Sequence, residues 1–565
     1  MPFRTGLIIA ASLLLAAGVV GITGCGGSSD GAPASTGAGS PQQLTDRDGD
    51  GVPDPFDLCA NTPAVLAVDE DGCPFSAEWI PGRFAPASVF RALCVSPRIG
   101  IDPLTGYPYP DRTGSVLAEN NWLRSWSHDT YLWYDEIVDR DPADYATPKY
   151  FALLKTEALT DSGRLKDRFH FSLPTEEWYR LSQTGQVAGY GASFAVVQGS
   201  PPRVIVVAYT EPDSPATTYP ANLSRGARVL GVDGVDVTNG TDIAAITEGL
   251  WPSELGKRHD FVVQDLGATT TRSFSMASAM VTQVPVQDVG SIDTASGTVG
   301  YMLFNDHLAA SEELLIDAVH DLQSAGIDDL VLDLRYNAGG FLDIASEVAY
   351  MIAGPNATSG QTFELVEFND KHRTFDPVTG QALVPTPFHD TAVGFSAPEG
   401  TALPSLDLSR VYILTGSNTC SASEAIINGL IGIDIDVMLV GSATCGKPYG
   451  FYPTDNCGTT YFTIQFRAVN AKGFGDYADG FSPSETNPVG DDIVRGCLVS
   501  DDFTHSLGDP EEGRFGAALA FRENGACPSE TGKLNRDRSQ SQIDLSASEA
   551  EVRKPLWLTN RIMTP

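Results

Sequence analysis

Hydrophobic and polar positions change their spacing along the chain, and each spacing indicates a different kind of domain. Around Trp122, Trp126, Tyr131, Tyr134 and Ile137, apolar residues recur at helical spacing. Further on, "RVIVVAYT" and "RVLGVDGVDV" cluster β-forming residues between Gly, Pro and Asp turns. From Gly297 onward, strand-like runs alternate with amphipathic helices. The sequence therefore predicts a multidomain α/β protein with a helical domain at 75–184, a β-rich domain at 185–285 and a βα-layered core at 286–500.

The predicted core has clear element boundaries. "SEELLIDAVHDLQSAG" places Leu315, Val319 and Leu322 on one helical face and ends at Gly326, a C-cap residue. The runs "VGYMLF", "DDLVLDL", "RVYILTG" and "VMLVG" are typical of buried strands. In such folds, ligands bind at the carboxyl ends of the strands. Residues 501–565 are expected to form a C-terminal extension, with a short helix packed on the core and a polar, partly mobile end.

The first 44 residues are expected to serve export and attachment. Residues 1–24 combine one early Arg, an apolar run and small residues, which is typical of a signal peptide. "ITGC" resembles a bacterial lipobox, and this resemblance implies that Cys25 becomes lipidated and anchors the chain. Residues 25–44 are rich in Gly, Ser and Pro and predict a flexible tether. An ordinary signal peptide and a membrane span are the alternatives. Gly26 stands where an inner-membrane retention signal has Asp, which favours the outer membrane of the cell envelope.

An acidic loop follows the tether. In "DRDGDGVPDPFD", carboxylates occupy the ligand positions of an EF-hand-type calcium loop, namely Asp46, Asp48, Asp50, Asp54 and Asp57. Clustered carboxylates repel one another without a cation. The continuation resembles thrombospondin type 3 calcium repeats, so we expect structural Ca²⁺ in the segment 45–74. An acidic, solvated turn is the alternative.

The net charge limits the expected binding partners of the protein, and the cysteine content indicates its cellular compartment. The net charge is −36, and such a surface repels phosphate backbones, which excludes nucleic acid as an expected partner. There are nine cysteines, so lipidation of Cys25 leaves an even number, as suits an oxidising compartment. Eight cysteines allow 105 connectivities, and proximity in sequence favours Cys59–Cys73 and Cys445–Cys457. Cys497 and Cys527 are candidates for a disulfide that holds the C-terminal region on the core.

The stretch "NTCSASEAII" contains the first candidate for chemistry. Ser421 followed by Glu424 forms an S-x-x-E capping box, which needs no enzymatic role. A serine at a helix N-terminus also lies beside backbone N–H groups that can stabilise an oxyanion. Two further motifs flank this one in the predicted fold, "DLRYNAGG" before it and "GSATCGKPYG" with Lys447 after it.

Together, these three motifs resemble those of the C-terminal processing peptidases, or tail-specific proteases, over roughly residues 185–500. The resemblance implies that Ser421 is the nucleophile, that Lys447 is the general base, and that the N–H groups of Gly339 and Ala422 form the oxyanion hole. A lysine acts as a base only when neutral, and the apolar run "VMLVGSATCG" provides suitable surroundings.

The chain departs from the family pattern in two places close to Lys447. Pro448 replaces a common Gly, and Phe451 replaces a Gln that orients the lysine in some members. The third catalytic residue therefore stays open, with Asp434 and Asp436 as candidates for a supporting carboxylate.

The β-rich region resembles a PDZ domain. "SPATTYPANLSRGARVLGVDGVDVTNG" has the turn, short helix and strand order of that domain. The resemblance implies a peptide-binding loop at "GYGASF", with Gly189, Tyr190, Gly191 and Phe194 as substrate-binding residues.

The expected function is that of a serine endopeptidase of the bacterial envelope with a Ser-Lys dyad. Its substrates are expected to be proteins or peptides bound through their C-termini, and no cofactor is expected for catalysis. A non-catalytic peptide-binding lipoprotein of the same fold is the first alternative. A hydrolase of small esters or amides is the second.

Overall fold

The computed structural model describes residues 45–49, 52–55, 57–62, 68, 79–103, 105–252, 254–485 and 490–528. The chain divides into two compact units, with the boundary between Phe75 and Ser76. The predicted signal peptide, Cys25, Asp50 and Cys73 lie outside the described residues. No helix among the described residues is long and apolar enough to cross a membrane.

The first part of the larger unit contains most of the predicted helices. Its elements are α1 (Ala87–Phe90), β1 (Leu93–Cys94), β2 (Arg112–Thr113), α2 (Val116–Thr130), two 3₁₀ turns (Tyr134–Glu136 and Pro142–Asp144), α3 (Thr147–Phe151), β3 (Phe171–Pro174) and α4 (Thr175–Thr184).

A β-rich region follows. Its elements are β4 (Gln186–Gly189), β5 (Ala192–Gln198), β6 (Val204–Thr210), β7 (Arg228–Val232), β8 (Val235–Asp236), α5 (Ile243–Leu250), β9 (Arg258–Gln264), β10 (Arg272–Ala277) and β11 (Ala279–Thr282). Strands β10-β9-β7-β6-β5 form an antiparallel sheet, with β8 paired to β7. Its core includes Val207, Val229 and Phe261, together with Ile246 from α5.

The α/β core occupies the rest of the described chain. Its elements are β12 (Val286–Thr294), β13 (Gly297–Phe304), α6 (Ser311–Ala325), β14 (Asp329–Asp333), α7 (Leu342–Thr358), β15 (Thr362–Phe368), β16 (Thr386–Pro387), β17 (Arg410–Thr415), α8 (Ala422–Gly432), β18 (Asp436–Gly441), β19 (Tyr449–Gly450), β20 (Thr454–Asn456), β21 (Thr459–Phe462), β22 (Phe466–Val469), β23 (Ser482–Ser484), β24 (Ile493–Leu498) and α9 (Gly513–Asn524). The predicted helix over 311–326 is confirmed as α6, and Gly326 ends it in a left-handed conformation.

The central sheet has the strand order β12-β13-β14-β17-β18-β24-β23, and its pairs are parallel from β13 onward. One face packs against α6, α7 and α8, and the other packs against α9. Because both faces are covered, the central strands are apolar throughout, which is why they appear in the sequence as continuous hydrophobic runs.

The segment predicted as a separate helical domain packs into the core instead. Strand β3 pairs with β21 of the core. Trp122 and Trp126 pack around Tyr461 of β21, and Tyr131 joins a cluster with Phe451 and Phe462. Trp122, Trp126 and Tyr131 are buried, as the pattern predicts, and much of the surface that buries them belongs to the core.

Candidate active site

Three neighbouring strands of the central sheet bring the three sequence motifs together. Strands β14, β17 and β18 are adjacent and parallel. The loop after β14 contains Asn337 and Gly339, the loop after β17 contains Ser421, and the loop after β18 contains Lys447. Because parallel strands end at the same edge of a sheet, residues separated in sequence converge there.

Ser421 directly precedes helix α8 in an uncommon backbone conformation, with φ 57° and ψ −117°. A non-glycine residue in such a region typically costs about 1–3 kcal/mol, and strain of this kind is concentrated at functional sites. The Ser421 side chain is largely buried, with 8% of the residue exposed. Ala422, the first residue of α8, presents its N–H where helical N–H groups have no partner within the helix.

Glu424 connects the Ser421 and Lys447 loops. One oxygen of its buried carboxylate, Oε2, accepts hydrogen bonds from the backbone N–H groups of Ser421 (3.0 Å) and Lys447 (2.8 Å). The other oxygen, Oε1, accepts from the N–H of Gly446 (2.8 Å) and from the Thr444 hydroxyl. Burial raises the pKa of Glu424, although these hydrogen bonds oppose that effect. The predicted capping box is thus present on the Glu424 side, and the same side chain also holds the Lys447 turn.

A disulfide joins the same two loops. Cys420 bonds Cys445, with 5.2 Å between their Cα atoms. This pairing corrects the predicted Cys445–Cys457 disulfide, because Cys457 bonds Cys94 of the N-terminal segment. Cys457 lies in the turn of the β20–β21 hairpin, and β21 pairs with β3 of that segment. Proximity in sequence therefore does not decide this pairing.

Two other predicted disulfides have different outcomes. The structure contains the third predicted pair, Cys497–Cys527, which links β24 to the residues after α9. Cys59 is disulfide-bonded, but the predicted partner Cys73 is outside the described residues, so that pairing stays a prediction.

Lys447 is almost completely buried, with 1% of the residue exposed. Its Nζ lies 4.1 Å from the ring centre of Phe451 and 5.2 Å from that of Phe169. Burial lowers the pKa of Lys447 to about 7, against the raising effects of the Asp167 and Glu424 charges. A substantial fraction of the amine is therefore neutral at neutral pH, as a general base requires.

Gly339 lies directly against Ser421. Its φ of 93° favours glycine, and a Cβ atom at this position would lie 2.8 Å from the Ser421 Cβ and 2.9 Å from the Ala422 nitrogen. No larger residue fits this close approach. The Gly339 N–H donates to Asn337 Oδ1 at 2.9 Å. This N–H is therefore close to the predicted oxyanion position but has an acceptor already.

The N-terminal segment contacts the Lys447 turn directly. The guanidinium of Arg168 donates to the carbonyl oxygens of Cys445 and Gly446, the latter at 3.1 Å. Arg164 also donates to the Cys445 carbonyl, at 2.9 Å. The site is thus built from four parts of the chain rather than from the three recognised motifs alone.

The two suggested supporting carboxylates lie elsewhere. Asp434 is exposed and forms an ion pair with Lys472 at 2.7 Å. Asp436 is exposed at the start of β18, the end of the strand opposite the Lys447 loop. Neither residue accompanies the buried Lys447.

The predicted peptide-binding loop lines a cleft. Gly189, Tyr190 and Gly191 share this cleft with Asn305 and with Ala338, the neighbour of Gly339. The side chains of Tyr190 and Phe194 are buried in the core of the β-rich region and do not act as cleft side chains. Any ligand contact from this loop therefore involves mainly its backbone.

The acidic loop belongs to the smaller unit. Asp46 accepts a hydrogen bond from the Gly49 N–H, Asp54 accepts one from the Arg47 N–H, and Asp57 accepts one from the Cys59 N–H. Asp48 accepts from the N–H groups of Asn61 and Thr62. The described carboxylates therefore hold the turns of this loop through backbone N–H groups.

Sequence reasoning missed several contributors to the active site. Glu424 was recognised only as a helix cap, although its S-x-x-E spacing was visible. Asp167 and Arg168 have no local signal, because they come from a segment far from Lys447 in sequence. The pairing of β3 with β21 and the Cys94–Cys457 disulfide bring that segment to the site.

Ser421 and Lys447 lie in the loops that follow two neighbouring parallel strands of the α/β sheet, and comparison with known proteins finds relatives among peptidases. Residues 298–452 match the model of Peptidase family S41. The matched residues include the loops that contain Gly339, Ser421 and Lys447.

Two carboxyl-terminal-processing proteases are homologues of the chain. The protein from Picosynechococcus sp. is 26% identical over 336 residues, which span 58% of this chain and 72% of the relative. The protein from Synechocystis sp. is 23% identical over 270 residues, covering 47% and 55% respectively. A crystal structure from Bacteroides fragilis NCTC 9343, assigned to the S41 proteases, has a similar fold. Its TM-score is 0.52 at 22% identity, with 74% of this chain and 99% of that chain covered.

Proposed function

We propose that this protein is a serine endopeptidase of the C-terminal processing type, with Ser421 as nucleophile and Lys447 as general base. The observation that carries the proposal is the shared Glu424 oxygen. It holds the backbone nitrogens of Ser421 and Lys447 at 3.0 and 2.8 Å, while burial lowers the pKa of Lys447 to about 7. The S41 match over 298–452 supports the same activity.

The proposed reaction begins with proton transfer. As Ser421 Oγ attacks the substrate carbonyl, its proton moves to Lys447 Nζ, and the resulting ammonium later protonates the leaving amine. Water then attacks the acyl carbon while Lys447 takes its proton, and the ammonium returns that proton to Ser421 Oγ as the Oγ–carbon bond breaks. The Ala422 N–H at the start of α8 stabilises the oxyanion. For Gly339 to contribute its N–H, the bond to Asn337 must be shared or released.

Substrate presentation is assigned to the β-rich region. We infer that it acts as a PDZ-like domain and that the loop of Gly189 and Gly191 receives the C-terminal end of an extended substrate. The cleft lined by this loop continues to Ala338, next to Gly339, which supports passage of one chain from that loop to the active site.

The cellular setting follows from the N-terminal sequence. We propose that the protein is a lipoprotein, anchored through Cys25, that cleaves its substrates in the cell envelope. We also propose that Ca²⁺ is a structural ion in the acidic loop. Asp46, Asp48, Asp54 and Asp57 would hold the ion, and Asp50 completes the predicted set. The oxygen-rich character of the described side chains supports this assignment.

The test combines a digestion assay with covalent labelling. The chain is incubated with unfolded casein and, separately, with a fluorophosphonate, which phosphonylates activated serines with loss of fluoride. The wild-type protein is expected to cleave casein and to become labelled, and Ser421→Ala is expected to lose both. Ser423→Ala is the matched control, because Ser423 lies in the same turn but donates its hydroxyl to the Asn337 carbonyl. Labelling of Ser421→Ala, or none in the wild type, contradicts the proposal.

A further inference from the structure

We propose that Asn305 binds the main chain of the substrate, and that its side-chain amide pairs with one residue of an extended peptide in the cleft between the β-rich region and the α/β core. This inference rests on the proposed function and deepens it, because it adds a substrate-binding residue that none of the recognised motifs contains. The cleft is the one that Gly189, Gly191 and Ala338 also line.

The side chain of Asn305 is buried and has unused hydrogen-bonding capacity. The residue is 5% exposed. Among the described residues, neither its Nδ2 donor nor its Oδ1 acceptor has a hydrogen-bond partner. Burial of an unpaired amide lowers stability, so such side chains are uncommon in folded proteins and call for a functional reason. Because Asn305 lines the cleft, a bound peptide can supply both partners.

The backbone around Asn305 is held close to the loop that contains Gly339. The carbonyl of Phe304 accepts a hydrogen bond from Asn337 Nδ2 at 2.9 Å. The N–H of His307 donates to the Gly339 carbonyl at 3.2 Å. The main chain is thus fixed on both sides of Asn305, which reduces the conformational entropy that is lost when a ligand binds.

A second side-chain amide lines the same cleft. Gln283 follows β11, and its backbone N–H donates to the Gly185 carbonyl at 2.9 Å. Its Oε1 is buried and has no hydrogen-bond partner within the described part of the chain. Unpaired amide atoms of two residues along one cleft match the repeated donors and acceptors of an extended peptide main chain.

The donors and acceptors of Asn305 favour a neutral peptide group over a charged group. An anion offers only acceptors and would leave Oδ1 unpaired, whereas a cation offers only donors and would leave Nδ2 unpaired. The charged residues that line the cleft are Glu211 and Asp306, and their carboxylates repel an anion. One residue of an extended chain presents its N–H and its C=O on the same side, as in paired β-strands. In the proposed contact, Nδ2 donates to that carbonyl and Oδ1 accepts from that N–H.

The test separates peptide cleavage from the reactivity of Ser421. We measure kcat/KM with a casein peptide that the wild type cleaves, and Ser421 labelling with a small alkyl fluorophosphonate that has no peptide main chain. In Asn305→Leu, kcat/KM should fall about 10- to 100-fold, because the peptide loses one or two hydrogen bonds in a buried site. The labelling rate should stay at the wild-type value, since this probe does not need the amide.

A scan of the peptide locates the contact. Outside the scissile bond, the N–H groups of the casein peptide are replaced one at a time by an ester oxygen. For the wild type, one replacement should lower kcat/KM roughly tenfold, because it removes the donor that Oδ1 accepts. For Asn305→Leu, the same replacement should have no effect. Such coupling between a side chain and one substrate N–H is the expected signature of direct contact.

Thermal unfolding distinguishes a binding role from a structural role. Replacing an unpaired buried amide by an apolar side chain should keep or raise the melting temperature. Asn369→Leu is the matched control, because Asn369 is similarly buried but has partners. Its Nδ2 donates to the carbonyls of Asp129 and Tyr131, and its Oδ1 accepts from the Lys371 N–H. Asn369→Leu should therefore melt at a lower temperature than the wild type.

The proposal is overturned if Asn305→Leu cleaves the peptide like the wild type, or if its labelling rate falls as much as its kcat/KM. If Asn305→Leu does not fold, Asn305→Ala takes its place, and a wild type that tolerates every ester replacement overturns the proposal. A wild type that neither cleaves casein nor becomes labelled overturns the proposed function instead. Fluorescence anisotropy of the bound peptide then tests Asn305 without catalysis: weaker binding by the variant supports the contact, and equal binding overturns it.

Discussion

Replacing Lys447 by methionine should abolish catalysis and at the same time stabilise the fold. Lys447 is 1% exposed and lies against the rings of Phe169 and Phe451. Methionine has a similar length, adapts its shape readily and has no charge to bury. Lys447→Met therefore removes the proposed base and leaves the apolar contacts of the side chain largely in place.

The magnitude follows from the pKa of Lys447. Burial lowers it from 10.5 to about 7. One pKa unit corresponds to about 1.4 kcal/mol, so the difference between the Lys447 pKa in the unfolded and folded states corresponds to about 5 kcal/mol of unfolding free energy. At pH 7 Lys447 is protonated in the unfolded chain, so folding must either remove its proton or bury its charge. Either way, nearly all of this free energy is lost from the stability of the folded protein. We expect Lys447→Met to raise the free energy of unfolding by several kcal/mol at pH 7.

The sign of the pH dependence makes the prediction specific. Between the folded pKa near 7 and the unfolded value of 10.5, the unfolded state binds more protons at Lys447, so the stability of the wild type rises with pH. The variant lacks this contribution. The difference in the free energy of unfolding between Lys447→Met and the wild type should therefore fall from several kcal/mol at pH 7 to about 1 kcal/mol at pH 10.

The assay is urea unfolding, followed by tryptophan fluorescence, of both proteins at pH 7, 8, 9 and 10 with the disulfides intact. Other groups titrate equally in the two proteins and cancel in the difference. A variant that is less stable than the wild type at pH 7, or a gap that does not change with pH, would refute the burial argument for Lys447. Retained casein cleavage by the variant would refute its role as a base.

Three other outcomes are expected. The double variant Cys420→Ala/Cys445→Ala should lose roughly 3 kcal/mol of stability, because its unfolded chain is no longer restricted by the disulfide. It should also cleave casein more slowly, because the Ser421 and Lys447 loops are held less firmly, and an unchanged cleavage rate would contradict this. Glu424→Gln should reduce kcat at least tenfold without a change in secondary structure, since an amide NH₂ cannot accept the hydrogen bonds that the carboxylate accepts from N–H groups. Circular dichroism measures the secondary structure, and a timed digestion assay measures kcat. Chelation of Ca²⁺ should lower the melting temperature of the segment 45–62 relative to a Ca²⁺-saturated sample, whereas equal melting would remove the structural role of the ion.

Local sequence patterns predicted the core elements well, because each pattern reports a local physical cause. Helix α6 was predicted from its apolar face and its terminal glycine, and both act within a few residues. The central strands were visible because a sheet covered on both faces requires continuous apolar runs. The serine motif was visible through its S-x-x-E spacing, and the lysine motif through the glycines that surround Lys447 after a strand.

Contacts between distant segments were not predictable in this way. Cys445 has the nearby Cys457 as an obvious partner in sequence, yet it bonds Cys420, because the parallel arrangement of β17 and β18 places their following loops side by side. The aromatic residues of α2 were recognised as buried, but their partner Tyr461 belongs to the other end of the chain. No local pattern encodes either pairing.

The sequence by itself determined the α/β class, the order of the core elements and the identity of the candidate nucleophile and base. Only the tertiary structure decided their surroundings: the Glu424 carboxylate shared by two loops, the disulfide between those loops, and the approach of the Phe169 ring from the N-terminal segment. The physical reason is that a reactive residue type and its helix or strand are specified within a few residues. The pKa of a buried amine, in contrast, depends on every charge and ring that folding brings near it.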